Sequence, residues 1–186
     1  MTDYLSLWNR MLALSVLPDE DRKALVGNLH PETRAGIEML GSVAAAQMRE
    51  ILKDGAFDKK DDYLKAAGPV LIWSALNGYC LYLMTQNVNP LTTDLKGRED
   101  TKNLGNRWIG QFQRDQNRSY IEKIDPIVSM LLGKISELRV NQLLALVPQV
   151  IDLPYKTTER LNQHIGWAVY QGFVLGVMES EGGTHE

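Results

Sequence analysis

The sequence predicts an all-α fold, and three observations predict it. Apolar residues recur at helical spacing through nearly the whole chain. No segment alternates with period two for long enough to form a strand, and no Asn-Gly or Asp-Gly pair joins two β-branched runs. Two stretches, one starting at Trp73 and one at Trp167, are too apolar for a surface helix and read as the central pair of a bundle. For 186 residues this gives a single-domain helical bundle of seven or eight helices over 1–181. A flexible tail follows at 182–186.

The elements follow in order. Residues 2–14 carry Leu5, Trp8 and Leu12 at i, i+3, i+7, with Thr2 as candidate N-cap. Pro18 and the acids Asp19, Glu20 and Asp21 open a short second helix, since negative charge suits a helix N-terminus. Residues 28–31 end it and begin the next. Residues 31–54 place Ile37, Leu40, Ala44, Met48, Ile51 and Leu52 on one stripe, with Gly55 as the stop.

A polar helix start is expected at 58–65, interrupted by Gly68-Pro69, and then an apolar helix over 69–86. Residues 87–97 form the one long loop. A polar helix follows from Glu99 to about Arg118, with Leu104, Trp108, Ile109 and Phe112 on one face. Ser119 fits a capping box, although Asp125-Pro126 equally begins the next helix, which runs to about Leu138. Residues 141–151 form another helix, bent or ended near Pro148. Thr157 or Thr158 caps the last, which ends near Glu181.

The two apolar stretches also resemble each other. Trp73 aligns with Trp167, Gly78 with Gly172 and Met84 with Met178, while Asn77 is matched by Gln171. An internal pseudo-two-fold duplication would divide the chain into halves 1–86 and 99–181 joined by loop 87–98. Chance similarity between two buried helices is the competing explanation. In either case a glycine inside a helix costs about 1 kcal/mol against alanine and calls for a packing reason. Small residues four apart, Ser74 and Gly78 on one helix and Ala168, Gly172 and Gly176 on the other, predict a close crossing near Gly78 and Gly172. Asn77 and Gln171 would then need hydrogen-bond partners, and each other is one option.

Composition bounds the function. The chain is 44% apolar and 23% charged, an ordinary globular balance, with a net charge of −3. That weak acidity argues against coating nucleic acid or an anionic membrane through the overall field. One cysteine excludes an internal disulfide and points to a reducing, cytoplasmic compartment. The N-terminus has no signal-peptide pattern. The uncharged run from Ala66 to Thr93 is long enough to span a membrane, but its glycines, proline and asparagine favour a buried core helix in a soluble protein.

The residues that carry chemistry elsewhere form no pattern here. The chain has no phosphate-binding glycine loop, no nucleophile elbow and no pair of histidines at metal-ligand spacing, so no cofactor, no metal and no catalytic residue is expected. His164 reads as a partly buried structural histidine, and Cys80 as an inert small hydrophobe in the most apolar stretch.

The most unusual surface lies between Lys96 and Lys123, where seven basic residues outnumber four acids. Arg107, Arg114 and Arg118 share a helical face, with the amides of Asn103 and Asn117 near it. Arginine beside amides can form the rim of a protein interface or grip phosphates and bases, and a solvated helix is the plain alternative.

The leading reading is a non-enzymatic helical protein that binds another macromolecule, as an adaptor, inhibitor or regulatory subunit. A protein partner is expected through this face, and a homodimer is compatible with it. The alternative is a small-molecule-binding or enzymatic domain. Its pocket would lie between the two apolar helices, lined by Trp73, Asn77, Trp167, Tyr170 and Gln171, with Tyr79, Tyr82 and Phe173 as further aromatics. A third reading is nucleic-acid association through the arginine face.

Overall fold

Helix α1 (Tyr4–Ser15) begins where the Asp3 carboxylate accepts hydrogen bonds from the amides of Leu5 and Ser6. Asp3, not Thr2, therefore caps it. The chain is described by a computed structural model over residues 3–53, 57–96 and 117–181. Of these residues, 81% are helical, in seven α-helices with no strand. This is the all-α bundle that periodicity predicts.

Helix α2 (Asp19–Gly27) follows Pro18 and carries its three acids in the first turn. Helix α3 (Pro31–Ile51) starts with proline, and the His30 Nδ1 atom accepts from the Glu32 amide. Of its expected stripe, Ile37, Leu40, Ala44, Met48 and Leu52 are buried, and Ile51 is half-buried. In α1 the expectation fails. The buried stripe is Leu7, Met11 and Leu14, while Leu5 stands exposed. The helix contains two apolar sets at helical spacing, and tertiary packing selects the second.

Helix α4 (Lys60–Thr85) runs unbroken through Gly68-Pro69, against the expectation of an interruption. Pro69 has no N–H to offer the Lys65 carbonyl, but both residues are exposed, so water can take its place. Gly68 lacks the Cβ that would clash with the following proline ring. Asn87, in the left-handed region at φ 59°, ends the helix region. The loop after it is tied back where the Asn28 side chain donates to the Thr93 carbonyl at 2.7 Å.

Helix α5 (Asn117–Ile121) is short. Helix α6 (Pro126–Leu146) is capped by Asp125, which settles the start left open between Ser119 and Asp125. It is also continuous where a break was expected between 138 and 141, because Leu138-Arg139-Val140-Asn141 contains neither Gly nor Pro. Pro148 opens a 3-10 turn (Pro148–Asp152), and α7 (Tyr155–Glu181) starts before Thr157.

Helices α4 and α7 form the centre and make the most extensive contact of any pair, with α3 packed on both and α6 alongside. Two apolar clusters result. One gathers Leu7, Met11, Leu40, Leu76, Leu132 and Val174, and the other Met48, Tyr63, Leu71, Leu143 and Leu161. Helix α4 is the one described helix long and apolar enough to cross a membrane, and 83% of its most apolar window is buried inside the chain. A core role accounts for its composition.

Candidate functional site

The crossing of α4 and α7 is backbone against backbone. A Cβ on Gly78 would run into the Val169 carbonyl, and a Cβ on Gly172 into the Ala75 carbonyl. One turn further along, a Cβ on Gly176 would lie 2.5 Å from the Tyr82 ring. The glycines thus permit an approach that no side chain would allow. The crossing is where sequence placed it.

That closeness decides the fate of the pocket expected between these helices. Of its five residues, only Trp73 borders either of the two depressions described below. Trp73 is nearly buried and opens only onto an outer groove. Tyr170 is half-buried, and its hydroxyl meets the hydroxyl and the carbonyl of Ser129 on α6, at 2.9 and 3.0 Å. Trp167 is half-buried and bridges the two apolar clusters. Gln171 is buried. Asn77 is fully buried, and neither atom of its amide has a hydrogen-bond partner. The suggested Asn77–Gln171 pair therefore does not form.

Two surface depressions take in the aromatics instead. The first is an open groove of about 460 Å³ between α2, the start of α3 and α4. Pro69, Ile72, Trp73 and Leu76 lie along it at i, i+3, i+4, i+7 of α4. Arg22, Lys23 and Arg34 stand around it with the acid Asp19, and Arg34 pairs with Glu38 at 3.0 Å. The Arg22 guanidinium lies 5.4 Å from the centre of the Trp73 ring and pairs with Asp19. The indole N–H of Trp73 is buried without a partner.

The second is a cleft of about 370 Å³ at the far end of the crossing, lined by Tyr82, Tyr120, Val128 and Phe173. The Tyr82 hydroxyl donates to Ser180 Oγ at 2.5 Å, and the Tyr120 hydroxyl donates to the Glu181 carboxylate at 2.7 Å. Tyr82 and Phe173 meet edge to face at 5.4 Å.

A buried charge that no sequence expectation covered lies at the end of α1. Arg139 of α6 is buried and has no carboxylate partner among the described residues. It donates to the Ser15 carbonyl at 2.8 Å and to Gln142 Oε1 at 2.7 Å. Burial, with the nearby charge of Arg22, holds its pKa down to about 10. The Ser15 carbonyl ends α1, where the helix dipole favours a cation. An arginine inside an otherwise apolar helical pattern was the available signal for this residue.

Of the arginine face, Arg107, Arg114 and Asn103 lie outside the described residues, as does the side chain of Asn117. Arg118 is exposed and pairs with Glu122 at 2.9 Å. His164 is half-buried, and burial followed by the charge of Arg160 lowers its pKa. Cys80 is free and fully buried, and burial pushes its thiol up. Among the described residues no three His, Cys, Asp or Glu side chains gather as a metal site. No family model, no curated protein and no solved structure matches the chain.

Proposed function

We propose that this chain is a non-enzymatic helical protein that works by binding another protein, as an adaptor, inhibitor or regulatory subunit. The observation that carries the reading is the groove over Trp73, open to solvent, apolar along α4 and edged by Arg22, Lys23 and Arg34. A trough with a two-turn apolar floor and a basic edge suits an amphipathic helix with acidic flanks. The tight crossing of α4 and α7 supports the same reading, because it leaves no room there for a substrate. The helical spacing of Arg107, Arg114 and Arg118 in the sequence suggests a second candidate surface for the same role.

A second reading, a small-ligand protein, is supported by the cleft of Tyr82 and Phe173, whose aromatic wall and nearby hydroxyls suit a compact aromatic molecule.

The test is affinity capture from native lysate with three forms of the chain. These are the wild type, Lys23→Glu/Arg34→Glu in the groove, and Arg107→Glu/Arg114→Glu/Arg118→Glu. The expected result is a protein held by the wild type and weakened at least tenfold, about 1.4 kcal/mol, by one variant with unchanged circular dichroism. Identical capture by all three removes both surfaces from the proposal. Loss of nucleic acid with steep salt dependence replaces the protein partner with the third reading.

A further inference from the structure

Helix α6 presents a row of exposed side chains, Ile127, Met130, Lys134, Glu137, Asn141 and Leu144. Met130 is 58% exposed, Ile127 38% and Leu144 37%, unusual for large apolar residues on one helix. Their spacing alternates three and four, the a and d positions of a heptad repeat, and brings all six onto an arc of about 100°. A seam of this kind buries its apolar positions only against another helix.

The order of residue types identifies that helix. In an antiparallel pair related by a two-fold axis, residue i of one copy lies opposite residue j of the other, with i + j constant. With the axis between Ile135 and Ser136, Ile127 falls opposite Leu144 of the second copy. Met130 falls opposite Asn141, and Lys134 opposite Glu137. Apolar ends therefore meet apolar ends, and opposite charges meet at the centre. A parallel pair would instead set Lys134 on Lys134 and Glu137 on Glu137, so charge selects the antiparallel arrangement.

Two further observations fit. Lys134 and Glu137 already pair at 2.8 Å within the chain and are more than half exposed, so two copies would close a ring of four alternating charges. Gly133, beside the row, lies inside the helix and is exposed, and a Cβ there would meet nothing within 4 Å. Packing among the described residues gives no reason for that glycine, whereas a second backbone close by does.

We infer that this face of α6 is a self-association surface, and that its occupant is α6 of a second copy of the chain, antiparallel across a two-fold axis. One helix pair of about 27 Å buries less than the roughly 800 Å² per partner of a standard interface. The dimer is therefore expected at the weak, transient end of such interfaces.

Sedimentation equilibrium of the full chain, from about 1 µM to about 1 mM, tests this over the range in which weak dimers form. The wild type should fit a monomer–dimer equilibrium. Met130→Asp, Lys134→Glu and Glu137→Lys should each raise Kd at least tenfold, with circular dichroism unchanged because the three side chains are exposed. An equimolar mixture of the Lys134→Glu and Glu137→Lys chains should associate at least as well as the wild type, since one then presents only acids and the other only bases. The double variant Lys134→Glu/Glu137→Lys should recover self-association. A wild type that stays monomeric to the top of the range overturns the inference. So does a dimer whose Kd the single variants leave unchanged, or a mixture of the two charge variants that does not associate.

Discussion

Gly78 and Gly172 occupy reciprocal positions at the centre of the fold. Each lies against a backbone carbonyl of the other's helix, Val169 for Gly78 and Ala75 for Gly172. A methyl group at either position has nowhere to go, because the obstacle is main chain rather than the end of a flexible side chain. Gly172→Ala should destabilise by several kcal/mol, and Gly172→Leu by more, since both force α4 and α7 apart. Gly166→Ala on the same helix is the control. Its Cβ would meet Ser136 Oγ at an ordinary 3.7 Å, so the substitution should stabilise by about 0.5–1 kcal/mol through helix propensity. Urea unfolding of the three variants checks the contrast. Similar effects at 166 and 172 would show that the crossing is loose.

Asn77 makes the opposite prediction for a buried residue. Truncating a core side chain to alanine normally costs energy, because packing is lost. Here the lost group is an amide without partners, desolvated on both its oxygen and its nitrogen. Asn77→Ala should therefore stabilise by about 1 kcal/mol, combining relief of that desolvation with better helix propensity. A rise in the urea midpoint with an unchanged m-value is the expected reading. A loss of more than about 1 kcal/mol would mean that the amide is satisfied in solution.

His164 sets a pH dependence. Burial and Arg160 lower its pKa in the folded chain below the usual 6.5. The unfolded chain then binds a proton before the folded one does, so stability falls as pH drops from about 6.5 towards the folded pKa, and flattens below it. The slope from one such group is at most about 1.4 kcal/mol per pH unit. His164→Gln should remove this part of the acid sensitivity while leaving stability above pH 7.5 nearly unchanged. Unfolding midpoints measured at closely spaced pH values between 5 and 8 for both proteins provide the check.

Legibility followed the reach of the interactions. The all-α class and the close crossing at Gly78 and Gly172 depend on residue spacing along single helices and were readable, whereas Asp125 was one of two helix starts that the sequence left open. The buried stripe of α1 was not. Leu5, Trp8 and Leu12 have the same periodicity as Leu7, Met11 and Leu14, and only contacts distant in sequence choose between them. Pro69 misled for a related reason, since whether a proline breaks a helix depends on where the freed carbonyl points. The Trp73 groove was invisible because Arg22 and Arg34 come from elements far from Trp73 in the chain. At the crossing itself the space expected for an aromatic pocket is taken up by backbone, for a physical reason already present in the sequence. Glycines that let two helices touch also close the space between them.

Cys80 offers a reporter for the crossing itself. It lies two residues beyond Gly78 on α4, fully buried, with its thiol pushed towards the protonated form by burial. A thiol reagent requires an exposed thiolate, so the folded chain should be inert to it and reaction should proceed through opening of the α4–α7 core. The labelling rate then measures the free energy of that opening when closing is faster than reaction. In the wild type the rate should rise with urea in step with global unfolding. In Gly172→Ala it should be faster without denaturant by at least tenfold, one factor of ten for each 1.4 kcal/mol lost. Rapid labelling of the wild-type chain under native conditions, at a rate insensitive to Gly172→Ala, would place Cys80 outside the core and contradict the packing of α4 described above.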